Sequence, residues 1–94
     1  MAIDLKSIEK ISKALGDKSR LLILGHITKK GGSAQCAEIT DVIDLSQPSV
    51  SHHVKILVEA GLVETQKEGR NLKYTINEAV LDNYLKFLEH LRND

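Results

Sequence analysis

At 94 residues, 41% hydrophobic and 28% charged, the chain has the make-up of one folded domain with a modest core. It lies near the lower end of what folds unaided, so dimerisation would help it. Thirteen basic residues balance thirteen acidic ones, which argues against a generically basic nucleic-acid coat, so any DNA affinity must come from where charge is placed.

No apolar run approaches the roughly 18 residues of a membrane span, and Met1 to Lys13 mixes charge with apolar residues too evenly for a signal peptide. A cytoplasmic chain without membrane attachment is expected. The lone Cys36 excludes an intrachain disulfide and cannot by itself supply a thiolate metal cage.

Ile3, Leu5, Ile8, Ile11 and Leu15 recur at helical spacing among Lys6, Glu9, Lys10 and Lys13, which predicts an amphipathic first helix closed by Gly16. Asp17 can cap a second helix over Lys18 to about Lys30. Its Leu21-Leu22-Ile23-Leu24 run and Ile27 are apolar on more than one side, as expected of a central helix packed on several neighbours. Gly31-Gly32 stops it. Ser33-Ala34-Gln35 reads as a short extended link, and Ala37, Ile39, Val42 and Ile43 fit a brief third helix ending near Asp44.

The fourth helix begins two residues later. Ser46 is a good N-cap, Pro48 sits in the first turn where its missing N–H costs nothing, and Gly61 stands where a left-handed C-cap belongs. On a wheel of about 100° per residue, Val50, Val54 and Leu57 share one side with His53 beside them, while Pro48, His52, Lys55 and Glu59 point away and Ser49 and Ser51 flank. Acid gathers in Glu38, Asp41 and Asp44, whereas Leu45 to Val58 has Lys55 and no acid.

A short helix, a tight turn with Leu45 anchored inward, and a second helix with a polar N-terminus make a helix-turn-helix, whose second helix enters the major groove of DNA. Ser46, Gln47, Pro48, Ser49, Ser51, His52 and Lys55 are its candidate DNA-binding residues, as glutamine, serine, histidine and lysine can bond base edges or phosphate.

Leu62 to Lys67 and Asn71 to Ile76 read as two strands joined through Glu68-Gly69-Arg70. Following a reading helix, this hairpin is a wing, with Lys67, Arg70 and Lys73 placed for phosphate. The last helix, about Glu78 to Arg92, has an apolar arc wider than one contact face needs. Its Leu81, Tyr84, Leu85 and Leu88, with Ile8, Ile11 and Leu15 of the first helix, are the expected dimer interface. Pairing there would set two reading helices on successive turns of DNA.

Catalysis finds no support. His52 and His53 are adjacent on a helix and cannot grip one ion, and Ser51-His52 has neither a Gly-rich elbow nor an acidic partner.

Three blocks together resemble the ArsR/SmtB family over almost the whole chain. They are Ala14-Leu15-Gly16-Asp17-Lys18-Ser19-Arg20-Leu21-Leu22-Ile23-Leu24, the stretch Leu45 to Leu57, and Ala60-Gly61-Leu62-Val63 followed by Glu68-Gly69-Arg70 and Tyr74. The resemblance implies a mostly α winged helix-turn-helix, a homodimeric repressor that binds double-stranded operator DNA and releases it when an inducer, often a metal ion, is bound. It puts reading contacts on Gln47, Ser49, Ser51, His52 and Lys55, and wing contacts on Arg70 and its neighbours.

The family's paired-cysteine site falls on Gln35 and Ala37, with Cys36 between them. Its other common site falls on Glu78, Val80, Leu91 and Asp94, and only a one-residue slip brings in His90. Valine and leucine cannot ligate. No metal site and no cofactor are therefore expected, and the inducer stays open between a metal, thiol chemistry at Cys36 and another ligand. The rival to an operator-binding repressor is a winged-helix module that docks on protein, whose DNA binding would be weak and sequence-blind.

Overall fold

The structure, a computed structural model, describes residues 4–93; Ile3 and Asp94 lie outside them. Five helices and a small sheet follow in the order α1 (Leu5–Leu15), α2 (Lys18–Lys29), β1 (Ser33–Gln35), α3 (Cys36–Val42), α4 (Gln47–Glu59), β2 (Val63–Glu68), β3 (Asn71–Ile76) and α5 (Glu78–Asn93).

Side-chain caps explain where most helices begin. Asp4 Oδ1 accepts from the Lys6 N–H at the head of α1, Asp17 Oδ1 accepts from the N–H groups of Ser19 and Arg20 at the head of α2, and Ser46 Oγ accepts from the Ser49 N–H on α4. Glycines explain two of the ends. Gly31 and Gly61 both have positive φ; Gly31 and Gly32 donate to the carbonyls of Thr28 and Ile27, and Gly61 and Leu62 to those of Val58 and Leu57. Each pair of bonds satisfies carbonyls that the ending helix would leave orphaned.

The sheet is antiparallel in the order β1-β3-β2. Ser33-Ala34-Gln35 is more than the extended link expected, for Ala34 pairs with Tyr74 and Ser33 faces Thr75, their hydroxyls 2.7 Å apart. β2 and β3 form the hairpin, Glu68 opposite Asn71, across the two-residue turn Gly69-Arg70. Only Gly69 of the turn has positive φ, the glycine-first form that suits the strand twist. Beyond Val63 every residue of β2 is exposed, so the hairpin stands clear of the body.

The core gathers Ile23 and Ile27 of α2, Ile39 of α3, Val50, Val54 and Leu57 of α4, and Leu62, Val63 and Tyr74 from the sheet side. Two apolar expectations need correcting. Leu21 and Leu22 are about half exposed, because α2 meets its neighbours through Ile23, Leu24 and Ile27 and nothing covers its other side. Ile11, expected at a dimer face, is only 2% exposed and belongs to the protomer's own core.

α5 is held at its start. Val80, Leu81 and Tyr84 pack on the core, and the Tyr84 hydroxyl lies 2.9 Å from Ser12 Oγ of α1. Further along, Leu85, Leu88 and Leu91 are 49, 42 and 62% exposed. The radius of gyration, 13.8 Å, exceeds the roughly 12.4 Å of a compact chain this long, as a projecting hairpin and helix end require.

Candidate nucleic-acid interface

The turn between α3 and α4 is short because Leu45 tucks partly into the core and its N–H closes on the Ile43 carbonyl at 2.7 Å. α4 therefore starts at the surface with its polar end outward. Ser46, Gln47, Pro48, Ser51, His52 and Lys55 are exposed, and Ser49 is half-buried.

Ser46 and Ser49 are partly spent on each other, their hydroxyls 3.1 Å apart, while Ser46 Oγ also takes the Ser49 N–H at 3.3 Å. Pro48 brings no N–H. Of the first three amides of α4, only that of Gln47 is left to face an anion, so recognition there falls on side chains more than on the helix end.

The hairpin places Arg70 at its tip, exposed beside Lys67. Lys73, grouped with them from sequence, is half-buried and sits 3.6 Å from Glu68 across the strands. A pair this exposed contributes little to stability, but it gives Lys73 a competing partner that Arg70 lacks among the described residues.

Gln47 and Ser51 of α4 meet Arg70 and Asn71 of the hairpin around one cleft of about 360 Å³, closed on the α3 side by Thr40 and Asp41. The structure thus brings part of the reading set and the tip of the wing to a common opening. His52 and Lys55 are not among the residues lining that cleft. Asp41 is the acid that a phosphate entering there would meet.

Sequence reasoning missed what holds α4 at its angle. The Arg20 side chain, 13% exposed, donates through Nε to the Ala14 carbonyl at 2.7 Å and through Nη2 to the Lys13 carbonyl at 3.2 Å, tying off the end of α1. Its Nη1 lies 3.3 Å from Nδ1 of His53 on α4. A guanidinium can only donate, so His53 Nδ1 is the acceptor. Asp17 Oδ1, 3.9 Å from the same nitrogen, is too far to compete.

The Arg20 N–H, followed by the Arg20 charge and the Ser19 N–H, holds the Asp17 carboxyl below its ordinary range against a smaller cost of desolvation. Its ionised form is the one the fold favours, so its contribution to stability is present above the ordinary carboxylate range and is lost as pH falls through the lowered value. The signal in the sequence was the spacing Asp17-Lys18-Ser19-Arg20 beside a half-buried His53.

Cys36 opens α3 with its side chain half-buried. Burial, and then a hydrogen bond with Cys36, pushes the Tyr74 hydroxyl up to about 12. Among the described residues, no three His, Cys, Asp or Glu side chains are placed to share an ion.

Of the expected interface set, Leu85 and Leu88 are exposed, while Ile8, Leu15, Leu81 and Tyr84 are half-buried. No helix among the described residues is long and apolar enough to cross a membrane.

A family model described as a helix-turn-helix domain matches residues 15–66. The chain is 37% identical over 83 residues to the arsenical resistance operon repressor of Staphylococcus aureus, a match covering 88% of this chain and 78% of that protein. Its fold superposes with a TM-score of 0.84 on the crystal structure of an ArsR family transcriptional regulator, 26% identical, covering 98% of this chain and 93% of the other. It also matches the solution structure of a homodimeric winged helix-turn-helix DNA-binding domain from Mycobacterium bovis, described as a possible ArsR-family regulator. That TM-score is 0.76 at 26% identity, covering 96% of this chain and 86% of the other.

Proposed function

This chain belongs to the ArsR family of winged helix-turn-helix transcriptional regulators, and from that membership we propose that it is a repressor that binds an inverted-repeat operator in the cytoplasm as a homodimer. One observation carries the reading: Gln47, Ser51 and Arg70, from the reading helix and the wing, open on one cleft. α4 enters the major groove, where Gln47 and Ser51 reach base edges and His52 and Lys55 reach bases or backbone, while Arg70 and Lys67 take phosphate. Ser46 and Ser49 set the helix start more than they read sequence, and Lys73 adds charge to the wing.

The dimer is made through α5, with Leu81, Tyr84, Leu85 and Leu88 at its centre and Leu15 of α1 beside them. The M. bovis domain is described as homodimeric, and the uncovered leucines of α5 supply the surface that such pairing needs. An isologous pair would present two reading helices about 34 Å apart, one turn of DNA. An inducer releases the DNA by changing that spacing.

Gln47→Ala tests sequence reading. A duplex selected from random sequence should lose about 1–3 kcal/mol of affinity, with binding to random DNA unchanged, because glutamine can bond adenine bidentately. Equal losses on both DNAs would show that Gln47 reads no base. If the wild type selects no sequence at all, the protein-docking reading takes over.

Arg70→Ala tests the wing. Binding to selected and random duplexes should weaken together, and the slope of log affinity against log salt should fall by about 0.9 for the lost phosphate contact. An unchanged slope places the wing away from DNA.

A further inference from the structure

α1, the end of α4 and α5 enclose a groove of about 640 Å³, inside the range of about 300–1,000 Å³ in which small organic ligands are bound. Its walls are apolar where the helices approach, with Ile8 and Ile11 from α1, Gly61 from the end of α4 and Val80 from α5. Asn83, Lys86 and His90 border it along α5. On a wheel of about 100° per residue, these three lie on the flank opposite Leu81, Leu85 and Leu88. The groove therefore faces away from the surface assigned to the partner and stays open in the dimer.

Charge at its rim is uneven in availability. Asp4 spends both oxygens inside the α1 cap, Oδ1 on the Lys6 N–H and Oδ2 on the Ser7 hydroxyl. Lys10 and Lys86 enter no ion pair among the described residues, and neither does Glu59. Two uncommitted cations thus stand against one uncommitted acid over an apolar bed.

We propose that this groove binds an amphipathic organic carboxylate, its apolar body against Ile8, Ile11 and Val80 and its carboxylate on Lys86, and that this ligand is the inducer. The second clause rests on the repressor reading. A Cβ placed on Gly61 would lie 3.7 Å from both γ-carbons of Val80, so the end of the reading helix touches the start of the dimer helix at the groove floor. A ligand wedged between α1 and α5 bears on that joint, and through it on the angle between the two reading helices.

The test uses the full chain, titrated calorimetrically with decanoate and, as a control of opposite charge, decyltrimethylammonium. Decanoate should bind saturably, one per protomer, and tighter than the cation. Asn83→Trp fills the groove and Lys86→Glu reverses its charge, both at exposed positions that spare the core. Each should weaken decanoate binding about tenfold or more. No saturable binding, equal binding of the cation, or binding that neither variant weakens overturns the site.

Decanoate should also weaken affinity for the selected duplex by about fivefold or more in the wild type and not in Asn83→Trp. Binding without that change overturns the inducer role. Calorimetry involves no DNA, so a protein that takes decanoate but selects no duplex refutes the repressor reading alone. One that selects a duplex but takes no decanoate refutes the groove alone.

Discussion

Leu88→Asp is expected to convert the dimer to monomers and to cost at least about a hundredfold in operator affinity, since a lone protomer loses the effective concentration that tethers the second half-site. Leu88 is the side chain to choose because the protomer does not need it. It is largely uncovered, on the distal half of α5, away from the Val80, Leu81 and Tyr84 contacts that fasten the helix. In the proposed dimer, the substitution would bury a carboxylate with nothing to pair it. Sedimentation equilibrium should show a monomer whose circular dichroism still reports the folded helices. A dimer that keeps full operator affinity would remove α5 from the interface.

Arg20→Ala should be the most damaging single change outside the apolar core, costing about 3 kcal/mol, because it strips charge-assisted bonds from part-buried acceptors that then have no donor. The Lys13 and Ala14 carbonyls at the end of α1 and Nδ1 of His53 would all be left unpaired in one step. Arg20→Lys should recover only part of the loss, since an ammonium cannot present the planar fork that reaches three acceptors from one side chain. Urea unfolding at matched protein concentration measures both, the match being needed because association contributes to the apparent stability. A loss below about 0.5 kcal/mol for the alanine variant would show that solvent satisfies these groups instead.

What could be read in the sequence was whatever is settled within one helical turn. Ser46 with Pro48, Asp17 at its cap and Gly61 at its end are local signals, and the helices they bound start and stop close to where those residues predict. The inward set Val50, Val54 and Leu57 was legible for the same reason, since a wheel needs no knowledge of the partner. Where a contact joins distant parts of the chain, the reading failed or fell short. Three residues, Ser33 to Gln35, become a strand only through β3, some forty positions away. Periodicity put Ile11 on an apolar face without saying whose core it would enter, and it read Leu21 and Leu22 as covered where no neighbour arrives. On the candidate interface, the outward side of α4 was legible, but the mutual bond of Ser46 and Ser49 and the Glu68 partner of Lys73 were not. Arg20 and His53 were visible as residues and invisible as a joint.

The hairpin bears on kinetics. Past Val63 its first strand has no side chain in the core, so the wing is anchored at its base alone and its tip has little to restrain it beyond the ladder. When such a segment settles on phosphate it surrenders backbone freedom, and that entropic charge is the same on every sequence because phosphates are the same on every sequence. The wing therefore trims the lifetime of every complex by one factor, right or wrong. On the preferred duplex the base contacts of α4 absorb that penalty, whereas on any other the protein departs sooner, which shortens each unproductive stop during its search along the chromosome.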